Sequence, residues 1–321
     1  MNTVLVTGIG GIVGQGILRN IRDFDPLIRI AGTNVISVSS GNYLCDVVYT
    51  VPYAYDENYI SSVRKICERE PINLIIPSTD YESYYLALNK TEFSCAIATS
   101  PANVTHFCLD KYLNAQAFGK FQIPFAKSFL PSNYQGQFER IIVKPREGRG
   151  SRNIYLDPPK PESFDDGYVV QEYLEGPELT TTFYVTKTGS LHGHITFVRE
   201  LESGNTVKAE VVFDYDQELE ILIRKILGHY HFRGSCNIQS RVTTKGIIPF
   251  EINCRISGTN SVRSQFGFKD VTYTIEEQLL NRQPSEPVIV KGSALRVTLD
   301  IIYTGIALDG IKDNKDQYYI H

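Results

Sequence analysis

Apolar and polar positions alternate between two rhythms over the first hundred residues. Thr3-Val4-Leu5-Val6-Thr7 reads as a short buried strand, and from Gln15 to Arg22 the apolar residues return at helical spacing. Ile28 to Asn34 is a second strand. Residues 56–69 form an amphipathic helix with Tyr59, Ile60, Val63, Ile66 and Cys67 on one side, and Asn73 to Pro77 is a third strand. Ser78-Thr79-Asp80 supplies caps for a helix that starts near Tyr81. Strands alternating with helices at this interval predict a parallel sheet with right-handed crossovers.

The pattern changes near Pro101. Thr105 to Gly119 reads as one helix, containing Asp110 and Lys111. Beyond Phe125 short strands follow one another: 140–144, 153–156, 168–173, 179–186 and 191–198. That density, with glycine turns between, predicts antiparallel sheet. A helix over 217–227 precedes a hairpin, 235–242 and 246–253, turned at Thr244-Lys245-Gly246, and a last helix covers about 271–281. Residues 1–103 therefore make a Rossmann-like lobe, and further boundaries fall near 185 and 288.

Composition narrows the class. The 321 residues are 42% hydrophobic and 21% charged, with a formal net charge of −4, so sizeable cores can form and no global basic field offers itself to nucleic acid. The six cysteines lack the spacing of a metal site. The N-terminus has no signal-type segment, and no apolar run reaches the ~20 residues of a membrane span. A cytoplasmic protein with reduced thiols is expected, with a homodimer as the default assembly.

Thr7 to Gly14 fits T-G-x-x-G-x-x-G between a strand and a helix, where glycines let the backbone approach an anion. One reading is a dinucleotide-dependent oxidoreductase. Against it, no tyrosine is followed four positions later by lysine, and Thr33-Asn34 stands where an acidic residue would hold a ribose. The other reading is close strand–helix packing.

The second half carries three charged elements. Lys144 ends a strand and precedes a loop with Gly148, Gly150 and Ser151, where N–H groups can fold over phosphates; Arg146, Arg149 and Arg152 make it strongly basic. In Glu172-Tyr173-Leu174 a linker exposes backbone groups able to read an adenine edge, and Glu178 can accept from ribose hydroxyls. Strand alternation then puts Glu251, Asn253 and Arg255 on one face, with Phe250, Ile252 and Cys254 on the other. Oxygen ligands two apart suit Mg²⁺, and Gln239 on the preceding strand adds another.

These elements, in this order, resemble the ATP-grasp ligases, and most closely their carbamoyl-phosphate-synthetase-like branch. The resemblance implies a Rossmann-like pre-ATP-grasp domain at 1–103, a two-lobed ATP-grasp domain at 104–288 with its small lobe at about 115–185, and a C-terminal extension, 289–321, packed on the ATP-grasp domain. It implies that Lys111 and Lys144 contact phosphates, that 147–151 forms a glycine-rich lid, and that Glu172, Tyr173, Leu174 and Glu178 hold adenine and ribose. Gln239, Glu251 and Asn253 fall at metal-ligand positions for Mg²⁺ or Mn²⁺, and Arg255 at the phosphate-binding arginine. The implied reaction is ATP-dependent activation of a carboxylate for attack by an amine or other nucleophile. Arg263, and also Arg199, are candidates to hold a substrate carboxylate. A non-catalytic ATP-binding subunit is the further alternative.

Overall fold

A computed structural model describes residues 2–148 and 152–321. The first lobe is a five-stranded parallel sheet of β1 (Thr3–Val6), β2 (Arg29–Asn34), β3 (Val47–Thr50), β4 (Leu74–Ile76) and β5 (Ala96–Ile97), in the order β3-β2-β1-β4-β5. Its central strand β1 is buried along its whole length, as a parallel strand covered on both faces must be. Helices α1 (Ile12–Phe24), α2 (Tyr59–Arg69) and α3 (Asp80–Leu88) connect the strands. The order reverses between β1 and β4, which opens a crevice at their C-terminal ends. Thr79 caps α3 in a reciprocal capping box with Glu82.

The helix expected over 105–119 is broken. It forms as α4 (Ala102–Leu109) and α5 (Lys111–Lys120), with Asp110 between them in extended conformation. The Asp110 carboxylate accepts from the N–H groups of Tyr112 and Leu113, and it also pairs with the Arg146 guanidinium at 2.5–3.2 Å. A side chain that caps the next turn and holds a distant arginine outcompetes the continuous helix.

Two antiparallel sheets follow. The smaller has β6 (Ser128–Phe129), β7 (Ile141–Pro145), β8 (Tyr155–Leu156) and β9 (Tyr168–Glu172), ordered β6-β9-β7-β8. The larger has β10 (Glu178–Val185), β11 (Leu191–Glu202), β12 (Asn205–Val211), β13 (Gly234–Thr243), β14 (Gly246–Asn253) and β15 (Ser293–Leu295), ordered β14-β13-β10-β11-β12-β15. Residues 178–185, placed by sequence at the end of the small lobe, thus form a central strand of the larger sheet. Strand β12 was not anticipated, because only Thr206, Ala209 and Val211 turn inward and two of those are weakly apolar. Helix α6 (Asp216–Leu227) packs on the sheet, while α7 (Asn260–Arg263) and α8 (Asp270–Gln278) pack on α1. Ile256, Val271 and Ile275 enter the same apolar cluster as Val4, Val6 and Ile17, so the first lobe shares a core with the turn after β14 and with α8.

The C-terminal segment does more than pack on the second half. Strand β15 extends the large sheet, but β16 (Ile301–Ile302) and β17 (Tyr319–Ile320) frame a tail that returns to the first lobe. There Asn314 donates to Asp46 and Lys312 accepts from Asn42, with Tyr318 edge-on to Tyr43. No helix among the described residues is long and apolar enough to cross a membrane. All six cysteines are free thiols.

Candidate active site

A cleft of about 1110 Å³ lies where the three lobes meet. Of the residues singled out from sequence, Lys111, Lys144, Gly148, Glu172, Tyr173 and Leu174 line it. So do Glu178, Gln239, Glu251, Asn253 and Arg255. Gly150 and Ser151 lie outside the described residues.

At its centre stands Glu251 on β14. Burial alone would raise its carboxyl pKa, but Lys111, Lys144, the Asn253 amide and Arg255 outweigh that and leave it lowered. Lys144, on β7, shows the opposite balance. Burial pushes its ammonium down to about 8, with Lys111 adding to the effect and Glu251 and Glu178 opposing it. Its Nζ donates to the Phe250 carbonyl at 3.4 Å and lies 5.4 Å from the Phe250 ring. Arg255 reaches back to the first lobe and pairs with Asp80 at 2.8 Å. Burial lowers its pKa, yet Asp80 and Glu251 more than offset this and hold it raised. Three cations thus surround one carboxylate in a partly desolvated cleft. The cluster has positive charge to spare.

Phe250 departs from the alternation read off the sequence. Gln239 pairs with Glu251 and Ser240 with Pro249, so Phe250 is the extra residue of a β-bulge. It therefore lines the same cleft as Glu251 instead of facing away. The signal was Pro249, which has no N–H for a regular ladder.

Glu178 and Gln239 belong to a second polar group. Arg199 donates to Glu178 at 2.8 and 3.1 Å and to Gln239 Oε1 at 2.9 Å, while Arg241 reaches Glu178 from the other side at 3.3 Å. Arg199 is thus held within the cleft wall and is not free for a substrate carboxylate. Glu172 Oε1 accepts from the Lys127 N–H at 2.7 Å, and Tyr173 stacks under Arg140.

Arg263, expected at a substrate carboxylate, does not reach the cleft. It is completely buried, pairs with Asp270 through Nε and Nη2, and donates through Nη1 to Ser257 and Thr259. A guanidinium bonded through all three nitrogens holds the turn after β14 together. Similarly, Arg146 is spent on Asp110, and within the basic loop only Arg152 among the described arginines lines the cleft.

The glycine-rich turn forms the far wall, through Gly8, Gly10 and Gly11. Its glycines are explained by contact. Gly8 has φ +61°, and an added Cβ would sit 2.3 Å from Ser78 Oγ. At Gly14 a Cβ would come within 2.5 Å of the Gly8 carbonyl, and at Gly10 within 2.7 Å of Asn34 Nδ2. Only Gly11 has an ordinary clearance, 3.6 Å.

Could this site hold a divalent cation? Among the described residues no group of three or more His, Cys, Asp or Glu side chains converges. One ionised carboxylate and two amides do: Glu251, Asn253, whose Nδ2 donates to Glu251 at 3.1 Å, and Gln239. An oxygen-poor set of that kind fits Mg²⁺ or Mn²⁺ completed by phosphates and water. Gln239 fits least well, since its oxygen already accepts from Arg199.

A parallel first lobe followed by a small and a large antiparallel sheet that enclose a charged cleft is the ATP-grasp fold. Residues 164–298 match the family described as ATP-grasp in the biosynthetic pathway with Ter operon, and residues 15–99 match the PylC-like N-terminal domain. No curated protein matches the chain. Among solved structures it is similar to carboxyaminoimidazole ribonucleotide synthase from Aspergillus clavatus complexed with ATP, with 14% identity, TM-score 0.71, and coverage of 88% of this chain and 78% of that one. It is similar to L-amino acid ligase from Bacillus licheniformis at 13% identity, TM-score 0.67, covering 89% and 75%. It is also similar to the biotin carboxylase domain of 2-oxoglutarate carboxylase from Hydrogenobacter thermophilus with MgADP and bicarbonate, at 14% identity, TM-score 0.66, covering 90% and 73%. At such identities the likeness is one of fold.

Proposed function

We propose that this chain is an ADP-forming ligase that uses ATP to phosphorylate a carboxylate, which an amine or other nucleophile then attacks. The observation that carries the reading is Glu251, kept ionised although buried, inside a ring of Lys111, Lys144 and Arg255. Glu251, with Asp80 on Arg255, neutralises only part of that ring, whereas a nucleotide's phosphates would neutralise the rest. The structural relatives solved with ATP and with MgADP support the choice of anion, and the L-amino acid ligase supports the reaction class.

In this reading the linker Glu172-Tyr173-Leu174 takes the adenine and Glu178 the ribose. Glu251 and Asn253 would hold Mg²⁺ or Mn²⁺, which supplies charge neutralisation across the phosphates. Lys111, Lys144 and Arg255 fix the β- and γ-phosphates and stabilise charge on the group in flight. An acceptor carboxylate oxygen bonds to the γ-phosphorus as the bond to ADP breaks. The nucleophile then adds to the acylphosphate carbonyl, loses its proton, and expels inorganic phosphate. No side-chain nucleophile is needed; orientation and charge do the chemistry.

The test is ADP release measured against a panel of amino acids and small carboxylates. Glu251→Ala should cut substrate-dependent release by about 100-fold or more, in the range for loss of a key electrostatic group. Full activity in that variant would remove the central residue from the mechanism.

A further inference from the structure

Among the described residues, seven lysines and arginines line the cleft, and six are accounted for. Arg199 and Arg241 share Glu178, Arg255 has Asp80, and Lys111 and Lys144 face Glu251. Arg152 is exposed and screened by solvent. Arg296 is different. It is half-buried, and no carboxylate pairs with it among the described residues. The charge facing it is another cation: burial first, and Arg19 second, lower its pKa. On a chain with 36 acidic against 32 basic residues, a half-buried guanidinium that faces the exposed Arg19 and no carboxylate is an arrangement that an anion would relieve.

Its position is fixed at two points. The Arg296 N–H donates to the Val207 carbonyl at 2.9 Å, at the end of the pairing between β12 and β15. Its Nη2 donates to the Gly258 carbonyl at 2.9 Å. Gly258 belongs to the turn braced by buried Arg263 through Ser257 and Thr259, and Asn260 ties that turn to the Val13 carbonyl in the first turn of α1. The turn starts directly after Arg255, the arginine that faces Glu251. One amino group of Arg296 is anchored, which leaves its remaining donors for a ligand in the cleft.

We propose that Arg296 binds an anionic group, a carboxylate or a phosphate, on the acceptor substrate. This rests on the ligase reading for the word acceptor; the anion site itself does not. It also explains why the sequence's two candidates for the role, Arg199 and Arg263, are occupied elsewhere. Arg296 directly follows β15, inside the matched residues 164–298 but away from the motif-bearing strands β7, β9, β13 and β14.

The experiment is thermal unfolding of the full chain titrated with sodium phosphate or with sodium succinate at constant ionic strength, each with and without saturating MgADP. Wild type should be stabilised by at least one of the two anions beyond the chloride control, and which one acts identifies the group. Arg296→Gln should weaken that anion about tenfold or more, the loss of a charged hydrogen-bonding pair, and Arg296→Lys should recover part of it. The MgADP shift should be the same in all three proteins, which also reports that the variants are folded. If neither anion stabilises wild type, or Arg296→Gln binds it as wild type does, the proposal is overturned. If MgADP fails to stabilise wild type while the anion effect still depends on Arg296, the ligase reading falls and the anion site stands.

Discussion

The turn from Thr7 to Gly14 and the stretch from Lys144 to Gly148 both have the composition of a phosphate-binding loop, and they are built on opposite principles. In the first, the missing side chains are used up inside the lobe: Gly8 lets Ser78 and Glu82 approach, and Gly14 lets α1 close on the turn. In the second, the charge is what remains unused. Lys144 is buried beside Lys111, and Glu251 and Glu178 offset only part of what burial and Lys111 cost its charge. Glycine spacing reports how close backbones come; surplus buried charge reports what is absent. The second is the stronger pointer to a ligand.

Arg263 gives the sharpest check on that distinction, because it is buried, charged and fully committed to the fold. Arg263→Ala leaves the buried Asp270 without its counter-charge, its carboxylate bonded only to Ser235 among the described residues, and should cost about 3–5 kcal/mol of stability in thermal or urea unfolding. Nucleotide affinity of the folded fraction should stay within about threefold of wild type on this account. An unchanged melting temperature with lost nucleotide binding would put Arg263 back in the site.

Next in size is Gly14→Ala. Its Cβ would meet backbone atoms at 2.5 and 2.8 Å, so the turn must shift, at about 1–3 kcal/mol. If the turn serves packing, MgADP binding measured by calorimetry is unaffected in the folded variant. Lys144→Ala inverts the pattern: stability hardly changes, and MgADP binding weakens about tenfold. The pH dependence follows from the same residue. Lys144 is cationic below about 8 and neutral above, so nucleotide affinity should fall as pH rises through that value. Lys144→Arg, which stays charged, should flatten the profile; an identical profile in the variant would assign the titration elsewhere. Gly11→Ala is the smallest effect, a few tenths of a kcal/mol, since its Cβ meets only the Gly8 carbonyl at 3.6 Å.

Much of the first lobe was legible because its signals are local: buried β1, amphipathic α2, the Thr79 cap with Glu82 three positions on; the short edge strands β3 and β5 carried no such signal and were not read. What escaped was decided at longer range. The break at Asp110 depends on Arg146 across the small lobe, and Phe250 turns into the cleft because the register with β13 slips at Pro249. The cleft residues Lys144, Glu251 and Arg255 stood out as charges in apolar strands, which is a local property. Their partners did not: Asp80 looked like a helix cap, Arg296 like part of a tail, and Arg263 like a ligand-binding arginine until Asp270 came within reach.

Asp110 carries two separate instructions on one carboxylate. One oxygen tells the backbone where α5 begins, and the pair of oxygens tells the small sheet, through Arg146, where to dock. Asparagine could repeat the first message almost unchanged, because it caps helices as well as aspartate does. It could not repeat the second, which needs the charge. The start of a helix and the placement of a sheet 36 residues away are therefore written in the same letter, and a single-atom replacement would let them be read apart.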